Sequence, residues 1–405
     1  MRRVADTVDV WFDSGVASWA SLGYPAREDE FRRWWPQDWI VEGPDQTRGW
    51  FNSQLAAGVV AFDRAPYDSV LMHGWVNGPD GRQMHKALGN FIEPETVVQK
   101  FGVDALRFYM MSVNAPWDDI TFQEDGVRKA QRTLNILWNV LRFATTYMVL
   151  DRFDPKAQDF AAISSYLRPE DQWLLSRLEG LKKSVTTEFS TYNLHRAYRA
   201  VESFVLDDLS RWYVKLVRGR TWIDAEGRDK LAVYHVLFEA LRTLALLLAP
   251  ATPFLAEAVY QRLDGRKLSV HMLDWPSPEE ERLRPDLEQS MAIVQELVEI
   301  VSKERQKGGR KLRWPLKLVA IKGPTLEAAA ALETLRGIFL EQANAKDLAI
   351  LKAAEEFPGM ALVLKPDAAA IGKAYRVLQP KIMKLLASRP AEEIKKGLDK
   401  GHLSV

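Results

Sequence analysis

The hydrophobic pattern of the first 120 residues is that of an α/β unit. Val8 to Phe12 is apolar and predicts a short strand, and an apolar burst at Trp39–Val41 is followed by a polar loop. Arg48 to Val60 has a helical apolar face, and the continuous apolar run from Val70 to Val76 predicts a buried strand. A strand, a loop, a helix and a second strand in this order predict a parallel crossover.

The second strand leads into the stretch that organises this unit. Residues 77–81 form a dense cluster of turn residues, and the short polar segment Gln83 to Ala87 follows. Pro94 can occupy the first turn of a helix that stops at Gly102. A strand, a hairpin, a basic loop and a helix are what a phosphate-handling site needs, but an ordinary hairpin joined to a helix has the same pattern.

From residue 121 onward the apolar positions follow a helical period. Leu134, Leu137, Leu141 and Ala144 mark one face of a first helix. Such segments predict a bundle of about four or five helices. The further helical segments are Glu170–Thr187, Asn193–Ile223 and Lys230–Ala249.

A new unit is expected after Pro276-Ser277-Pro278. Its pattern predicts a small α/β domain, so the expected domains are residues 1–120, 121–278 and 279–405. The expected helices are Leu287–Arg305, Leu332–Gln342 and Ala370–Leu386, and the expected strands are Lys317–Ile321 and Ala361–Leu364.

Composition narrows the possible function. The chain is 47% hydrophobic and 27% charged, so it can bury substantial cores, and its net charge of +1 restricts any polyanion contact to local patches. It has no cysteine, which excludes disulfides and thiolate metal sites and is compatible with the cytoplasm. Charges and prolines interrupt the apolar stretch Leu237–Leu255, which predicts a buried helix and no membrane contact.

Two sets in the first unit could carry chemistry, and no metal site is expected. The motifs of triad hydrolases, zinc proteases, P-loop ATPases and dinucleotide-binding folds are missing from the sequence. Carboxylates at Glu42 and Asp45 could bind hydroxyl or ammonium groups, and Trp50 could wall an apolar pocket, although a capped helix with a buried tryptophan fits equally well. His73-Gly74 could face the loop of Lys86, or His73 could be structural.

Two basic segments could contact nucleic acid. In the bundle, residues 211–222 mix basic and aromatic residues, as an RNA-binding helix does, and they fit helix packing equally well. The segment 303–314 could contact nucleic-acid phosphates or could be a solvated helix end. The basic and aromatic members are Arg211, Trp212, Arg218, Arg220 and Trp222 in the first, and Lys303, Arg305, Lys307, Arg310, Lys311, Arg313 and Trp314 in the second.

Taken in order, these motifs resemble the class I aminoacyl-tRNA synthetases, and among them the isoleucyl-tRNA synthetases of the archaeal or eukaryotic type. The resemblance covers nearly the whole chain. It rests on residues 9–15 (DVWFDSG), 42–53 (EGPDQTRGWFNS), His73-Gly74, the loop 83–87, residues 88–90 (LGN), 102–107 (GVDALR), 135–139 (NILWN), 211–213 (RWY) and 311–316 (KLRWPL).

The resemblance implies a fold and a set of roles. It implies an α/β half of a Rossmann-like catalytic domain, an all-α anticodon-binding bundle and a small α/β C-terminal domain that contacts tRNA. Lys86 would be catalytic, stabilising the triphosphate charge of ATP, and Trp50 with Gln46 would form the amino-acid pocket. Residues implied to bind ATP or the adenylate are Glu42, Gly43, Asp45, Gln46, His73, Gly74, Gln83 and Met84. Residues expected to bind tRNA are Arg211, Trp212, Arg218, Arg220, Lys303, Lys307, Arg310, Lys311 and Arg313.

Two departures from the family limit this resemblance. The sequence starts beyond the editing insertion, without the HIGH motif that grips ATP. The signature KMSKS loop here reads Gln-Met-His-Lys-Ala, so that Lys86 is its one remaining lysine. Losing one charge-assisted contact in a transition state costs about 2–4 kcal/mol. We therefore expect a chain that is inactive alone, with no tightly bound cofactor, and that takes ATP with Mg as substrate if it is active.

Three hypotheses follow. The first is a tRNA-binding, synthetase-like protein with a degenerate site, either a paralogue or the complement of a separately encoded amino-terminal half. The second is a subunit or fragment of a functional isoleucine–tRNA ligase. The third is a non-enzymatic scaffold that binds proteins through the face left open by the missing half. The expected partners are tRNA, of the isoleucine type, and either the amino-terminal half or a second copy of the chain.

Overall fold

The computed structural model describes residues 5, 9–155, 157, 160–222, 227–355, 357 and 364–399. Residue contacts divide the chain into two compact units, Met1–Ala292 and Ile293–Val405. The first unit contains an α/β segment and a helical bundle, and the second contains a smaller α/β arrangement.

From residue 10 onward the described part of the chain forms short helices, where the sequence pattern predicted a strand. Helices α1 (Val10–Gly15), α2 (Ala17–Ala20) and α3 (Glu28–Trp34) precede the first strand. The predicted strand at Val8–Phe12 is wrong from Val10 onward, and Val8 lies outside the described residues. The reason is a helix cap: the Asp9 carboxylate accepts a hydrogen bond from the Trp11 amide at 3.0 Å, which starts a helical turn.

The predicted parallel crossover is confirmed. Strand β1 (Ile40–Glu42) is followed by a 3₁₀ turn, helix α4 (Trp50–Phe62) and strand β2 (Val70–Met72). The two strands are parallel, with Ile40 beside Val70 and Glu42 beside Met72. A second parallel pair joins β3 (Val76–Asn77) to β4 (Ile120–Thr121). This register aligns the carboxyl ends of β1 and β2, where ligands of open α/β sheets bind.

The helical bundle is confirmed in the middle of the chain. Its interior is apolar, and Leu137, Leu141 and Ala144 of the first long helix are almost completely buried. Helix α12 (Asp229–Leu248) is long and apolar enough to cross a membrane, but 78% of its most apolar window is buried inside the protein, as expected of a core helix. After α5 (Pro94–Phe101) and α6 (Val103–Val113) come α7 (Glu124–Leu150), α8 (Phe160–Ser164), α9 (Pro169–Ser190), α10 (Leu194–Ser203), a π-helix (Phe204–Tyr213), α11 (Val214–Val217), α12 (Asp229–Leu248) and α13 (Pro253–Leu263).

The family motif GVDALR attaches the α/β segment to this bundle. The Asp104 carboxylate accepts a hydrogen bond from the Leu255 amide at 2.7 Å and so caps the start of α13. The Arg107 guanidinium donates to the carbonyls of Ala251 and Pro250 at 3.1 and 3.2 Å. This motif therefore has a structural explanation, because both charged side chains satisfy the exposed backbone groups between two helices.

The described residues of the second unit contain one parallel strand pair. Strand β5 (Val319–Lys322) pairs with β6 (Leu348–Leu351), and Val319 lies beside Leu348. The strand predicted at Ala361–Leu364 falls on residues of which 361–363 lie outside the described part, and Leu364 is in no strand. Helix α14 (Pro285–Lys307) begins in the first unit and ends in the second. The later helices are α15 (Leu326–Thr334), α16 (Arg336–Ala343), α17 (Ala368–Tyr375), α18 (Gln379–Ser388) and α19 (Ala391–Asp399).

Candidate functional site

The carboxyl ends of β1 and β2 bring several predicted site residues together. The His73 amide donates to the Glu42 carbonyl at 3.1 Å, which continues the ladder beyond the strands. A Cβ atom on Gly43 would lie 2.7 Å from an Asp45 carboxylate oxygen and 3.6 Å from the rings of His73 and Trp75. A larger residue at position 43 would therefore have to displace the Asp45 carboxylate. The side chains of Glu42, Asp45 and His73 are exposed, so they form one open wall of a polar site.

Gln46 connects this wall to helix α4. Its side-chain amide donates to Asp45 at 2.9 Å, and its side-chain oxygen accepts from the Trp50 amide at 2.8 Å. The Trp50 indole nitrogen donates to the Ser14 carbonyl at 3.0 Å, which fixes the ring between α4 and α1. Both side chains predicted for the amino-acid pocket are thus held in place by hydrogen bonds.

Gly74 has a structural role of its own. A Cβ atom at this position would lie 2.3 Å from the Asp118 carbonyl oxygen, because the segment before β4 passes directly over the glycine. The Gly74 amide donates to the Pro116 carbonyl at 2.9 Å, and the Trp75 amide donates to the Asp119 carboxylate at 2.7 Å. Close backbone packing accounts for glycine here, whatever ligand lies nearby.

The signature-like loop is closed by Asn90. Its side-chain amide donates to the Gln83 carbonyl at 3.1 Å and to Asp80 at 3.2 Å, and its oxygen accepts from the His85 amide at 2.9 Å. Hydrogen bonds from the Arg82 amide and from Asn90 lower the pKa of the Asp80 carboxyl. The Lys86 ammonium lies 5.3 Å from the centre of the Phe91 ring. The loop is therefore internally ordered.

The three predicted site residues of the loop differ in exposure. Gln83 and Lys86 are exposed and Met84 is half-buried, while Ala87 adds no polar group. A triphosphate approaching this loop would meet Lys86 as its one lysine.

Arg220 requires a correction. The sequence placed it among the tRNA-binding residues, but its side chain is only 8% exposed. The guanidinium donates to Glu170 at 2.8 Å, to Asp171 at 2.7 Å and to Asp229 at 3.2 Å. The Tyr213 hydroxyl adds a hydrogen bond to Asp171 at 2.7 Å. Arg220 therefore stabilises the bundle, and we remove it from the proposed RNA surface.

The other bundle residues of that set differ in exposure. Trp212 is buried in the bundle, so its prediction as a tRNA-binding residue is also wrong. Arg211 is exposed and pairs with Asp207 at 2.7 Å, and Arg218 is exposed at the end of the helical segment. Arg211 and Arg218 remain available for contact with a polyanion.

The structure adds a groove that the sequence did not single out. It has a volume of about 420 Å³ and is open to solvent. Phe143 and Tyr147 meet edge to face with their centroids 5.1 Å apart, and Trp222 is 57% exposed. In the sequence, this groove is marked only by α7 residues that are spaced three or four apart and are not all apolar. The lining residues are Asn139, Arg142, Phe143, Thr146, Tyr147, Leu150 and Trp222.

The basic segment of the second unit is exposed except at one residue. Arg305 is buried, and its guanidinium donates to the carbonyls of Ala343 and Lys311, both at 2.8 Å. This corrects the expectation that the whole segment is a solvated basic surface. Lys303 and Lys307 pair with glutamates of their own helix at 3.6 and 2.6 Å. Arg310, Lys311 and Arg313 are exposed beside Trp314.

Among the described residues, three carboxylates come together in the first unit, those of Glu179, Glu239 and Glu279. Lys182 pairs with Glu179 at 2.8 Å, and Arg282 pairs with Glu279 at 2.9 Å and also with Glu239. Two cations thus already balance most of the negative charge, which favours an ion-pair network over a cation-binding site.

Two family models match this chain. Residues 1–123 match tRNA synthetases class I (I, L, M and V), and residues 171–320 match the anticodon-binding domain of tRNA ligase. The second match contains both basic segments.

Curated relatives match almost the entire chain. The isoleucine–tRNA ligase of Methanothrix thermoacetophila is 48% identical over 406 aligned residues, which cover 99% of this chain and 38% of that protein. The isoleucine–tRNA ligase of Methanosarcina barkeri is 45% identical, covering 98% of this chain and 38% of that protein. The chain thus spans about 38% of the length of these relatives.

Solved structures share the fold at low sequence identity. The Agrobacterium radiobacter LeuRS–tRNA–LeuAMS complex is 22% identical, covers 70% of this chain and 34% of its own, and has a TM-score of 0.53. Mycobacterium tuberculosis methionyl-tRNA synthetase with methionyl-adenylate is also 22% identical, covers 63% of this chain and 52% of its own, and has a TM-score of 0.51. Residues 1–123 therefore carry a class I aminoacyl-tRNA synthetase domain and residues 171–320 an anticodon-binding domain, and nearly the whole length of the chain matches a portion of the isoleucine–tRNA ligases.

Proposed function

We propose that this chain binds tRNA, of the isoleucine type, through the bundle and the exposed basic segment of the second unit. The observation that carries the proposal is the position of Arg310, Lys311 and Arg313. These side chains are exposed and lie within the residues that match an anticodon-binding domain. Exposed cations that neutralise phosphates supply much of the affinity of nucleic-acid binding.

The proposed surface of the first unit is smaller than the sequence suggested. It keeps Arg211 and Arg218 and gains the aromatic groove on α7, in which Arg142 provides a cation and Trp222 an exposed ring. Aromatic and basic side chains together favour unstacked nucleotides. Lys303 and Lys307 are assigned weaker contacts, because glutamates already pair with them.

We propose that the residues after β1 and β2 form one half of an adenylate site. Glu42, Asp45 and His73 face solvent at the edge of a parallel sheet, where class I folds bind their ligands. Trp50 and Gln46 would line the amino-acid pocket. ATP with Mg would be the substrate, and Lys86 would stabilise charge as pyrophosphate leaves.

The isolated chain is proposed to be inactive as a ligase. The described residues provide one wall of the site, and the loop offers Lys86 as its one lysine. Amino-acid activation depends on several cations placed around a developing charge, so a single lysine leaves most of that stabilisation unmade.

A second candidate is supported by a separate observation. Identity of 45–48% across 98–99% of the chain is what a working part of an isoleucine–tRNA ligase would retain. In that case the chain acts with the remaining part of the catalytic domain, whether on the same or a separate polypeptide, in the cytoplasm.

The exposed apolar side chains of the strands fit such a partner. Val41, Val70, Met72 and Val76 lie on the strands and are 36–42% exposed. Open strand edges with apolar side chains are costly in water, so a cover is expected. An amino-terminal catalytic half is our preferred occupant, and a second copy or an unrelated protein, as in a scaffold, would be the alternative outcomes.

A binding titration tests the main proposal. We expect Arg310→Glu to weaken binding of an isoleucine tRNA transcript several-fold and to reduce the salt dependence of the dissociation constant, because one phosphate contact is lost. Lys373→Glu, which changes the charge equally on α17 of the same unit, is the matched control. An Arg310→Glu titration that overlays the control would contradict the proposed surface.

Catalysis is tested separately. Isoleucine-dependent ATP–pyrophosphate exchange by the purified chain should stay at background, and addition of an amino-terminal catalytic half should restore it if the second candidate is correct. Robust exchange by the chain alone would refute the proposed inactive half-site.

A further inference from the structure

The segment Lys311–Trp314 leaves two large apolar side chains in water. Leu312 is 59% exposed and Trp314 is 61% exposed, although the chain is buried again a few residues later, at Val319. Exposed single apolar residues are common, but here a tryptophan stands among the cations Arg310, Lys311 and Arg313. We call residues 310–314 the tryptophan loop.

The tryptophan loop is held from beneath by Arg305. This buried guanidinium donates to the carbonyls of Lys311 at 2.8 Å and Leu312 at 3.1 Å, and also to that of Trp314. It reaches in addition to the carbonyls of Ala343 and Asn344, at 2.8 and 3.3 Å. A single cation thus joins the loop to the end of α16.

Two further contacts fix the loop. The Asn344 side-chain amide donates to the Leu312 carbonyl at 2.8 Å, and the Arg310 amide donates to the Arg305 carbonyl at 2.8 Å. Gly309 permits the tight turn, since its φ is +66° and no neighbouring atom lies where its Cβ would be. The backbone of the loop is therefore ordered before any ligand arrives.

The exposed side of the loop has the chemistry of a stacking platform. The Arg313 guanidinium lies 5.8 Å from the centre of the Trp314 ring. A planar ring with adjacent cations suits an unpaired base and its phosphates, and a preordered backbone lowers the entropy lost on binding. Arg305 is buried and donates to backbone carbonyls, so it adds no charge to this surface. Its contribution is to fix the shape of the loop.

We propose that Trp314 stacks on an unpaired base of the bound RNA, and that Arg305 is the positioning residue that holds the ring in place. The inference rests on the proposed RNA-binding function and goes beyond it, because it assigns a base-stacking site to a segment whose charges alone suggested only phosphate contacts. Its ligand is a single-stranded nucleotide, and a base-paired helix should not use the site.

The test compares three RNAs by fluorescence anisotropy: the isoleucine tRNA transcript, a single-stranded oligonucleotide and a blunt duplex of the same length. Trp314→Ala should weaken binding of the first two roughly ten- to a hundredfold and leave duplex binding unchanged. The salt dependence should also stay unchanged, because no charge is removed. Trp314→Phe should restore most of the affinity, and Tyr375→Ala, another exposed aromatic of the same unit, is the control.

Arg305→Lys tests the positioning role. Lysine keeps the charge but has three donors in place of a planar fork, so the carbonyl contacts cannot all be kept. It should reduce single-strand affinity in the wild-type background and have little further effect in a Trp314→Ala background. Equal losses in both backgrounds would overturn the positioning role.

The outcomes separate the inference from the function on which it rests. If Trp314→Ala binds every RNA like the wild type while Arg310→Glu still impairs binding, the stacking site is wrong and RNA binding stands. Equal weakening for the duplex would also overturn stacking. If the wild-type chain binds none of the three RNAs, both proposals fail.

Discussion

The two segments 211–222 and 303–314 both contain basic and aromatic residues, but the fold buries and exposes different members of each. In the bundle, the tryptophan at position 212 is buried and Arg220 lies in an ion-pair network with Glu170 and Asp171. In the second unit, Arg305 is buried but Trp314 remains in water. Composition suggested RNA contact for both, and only the packing shows which aromatic and basic groups are free to make it.

The difference lies in what each buried arginine binds. Arg220 meets carboxylates from α9 and from Asp229 at the start of α12, so it joins helices and neutralises buried charge. Arg305 meets backbone carbonyls, so it shapes a loop and leaves the neighbouring side chains exposed. The sequence therefore shows only that an arginine is a hydrogen-bond donor. Its partners in the fold decide whether it stabilises the core or orders a surface loop.

The largest expected effect is on the bundle. Arg220→Ala leaves the carboxylates of Glu170 and Asp171 without their main cation, and breaking a buried ion pair typically costs about 3–5 kcal/mol. We expect the free energy of unfolding in urea to fall by that amount, with unchanged tRNA affinity at temperatures where the variant is folded. A stable Arg220→Ala variant with weakened tRNA binding would reverse the assignment.

The stability of the first unit should depend on acid pH through Asp264. Asp264 is buried, which raises its pKa, but hydrogen bonds from Arg266 and Arg242 outweigh burial and lower the pKa below its ordinary value. A lowered pKa stabilises the fold above the ordinary aspartate value of about 3.9, and this contribution disappears as the pH falls through the lowered value. Among the described residues of the second unit, the buried polar side chains are Arg305 and Gln342, and neither is a carboxylate.

We therefore expect Asp264→Asn to reduce the free energy of unfolding by about 1–3 kcal/mol at pH 7. The difference from the wild type should shrink as the pH falls below about 4. Urea titrations monitored by circular dichroism at pH 7, 4 and 3 measure it. A difference that stays constant over this range would show that the carboxylate charge is not responsible.

A smaller effect is expected at the exposed loop of the second unit. Arg313→Glu should weaken tRNA binding by about 1–2 kcal/mol and reduce its salt dependence, while leaving the unfolding free energy within about 0.5 kcal/mol of the wild type. Filter binding at several salt concentrations and thermal unfolding give the two values. Loss of stability without loss of affinity would mean that Arg313 belongs to the fold.

Only a small effect on stability is expected at Arg211. Its pair with Asp207 is exposed, with 69% of the arginine side chain in solvent, and such pairs contribute about 0–1 kcal/mol. Arg211→Ala should therefore unfold almost like the wild type. A loss as large as that of Arg220→Ala would remove the distinction between the two arginines.

Local patterns were enough to predict most elements. The period of Leu134, Leu137 and Leu141 predicted α7, and Pro94 with Gly102 marked the start and end of α5. Two predicted strands were exceptions. The apolar run Val70–Val76 forms two short and partly exposed strands, Val70–Met72 and Val76–Asn77, and not one buried strand. In the run Val8–Phe12, Asp9 caps a helix that begins at Val10. A side-chain cap and an extended strand compete at such short segments, and periodicity over five residues cannot distinguish them.

The candidate sites were predictable as groups but not in detail. The glycine at position 43 and the carboxylate of Asp45 are two residues apart in sequence, so their proximity was foreseeable. The groove beside Trp222 was not, because it joins α7 to a segment 70 residues further along the chain. Contacts over such distances depend on how helices pack, which no local pattern records.

The sequence by itself determined the order of elements, the family resemblance and the loop in which Lys86 is the single lysine, because these depend on residue type and spacing along the chain. The tertiary structure decided which members of each basic and aromatic segment are available to a ligand. Arg220 and Arg305 are buried and Trp314 is exposed. Burial depends on what packs against a residue from distant parts of the chain, so the division between core and binding surface emerges only in the fold.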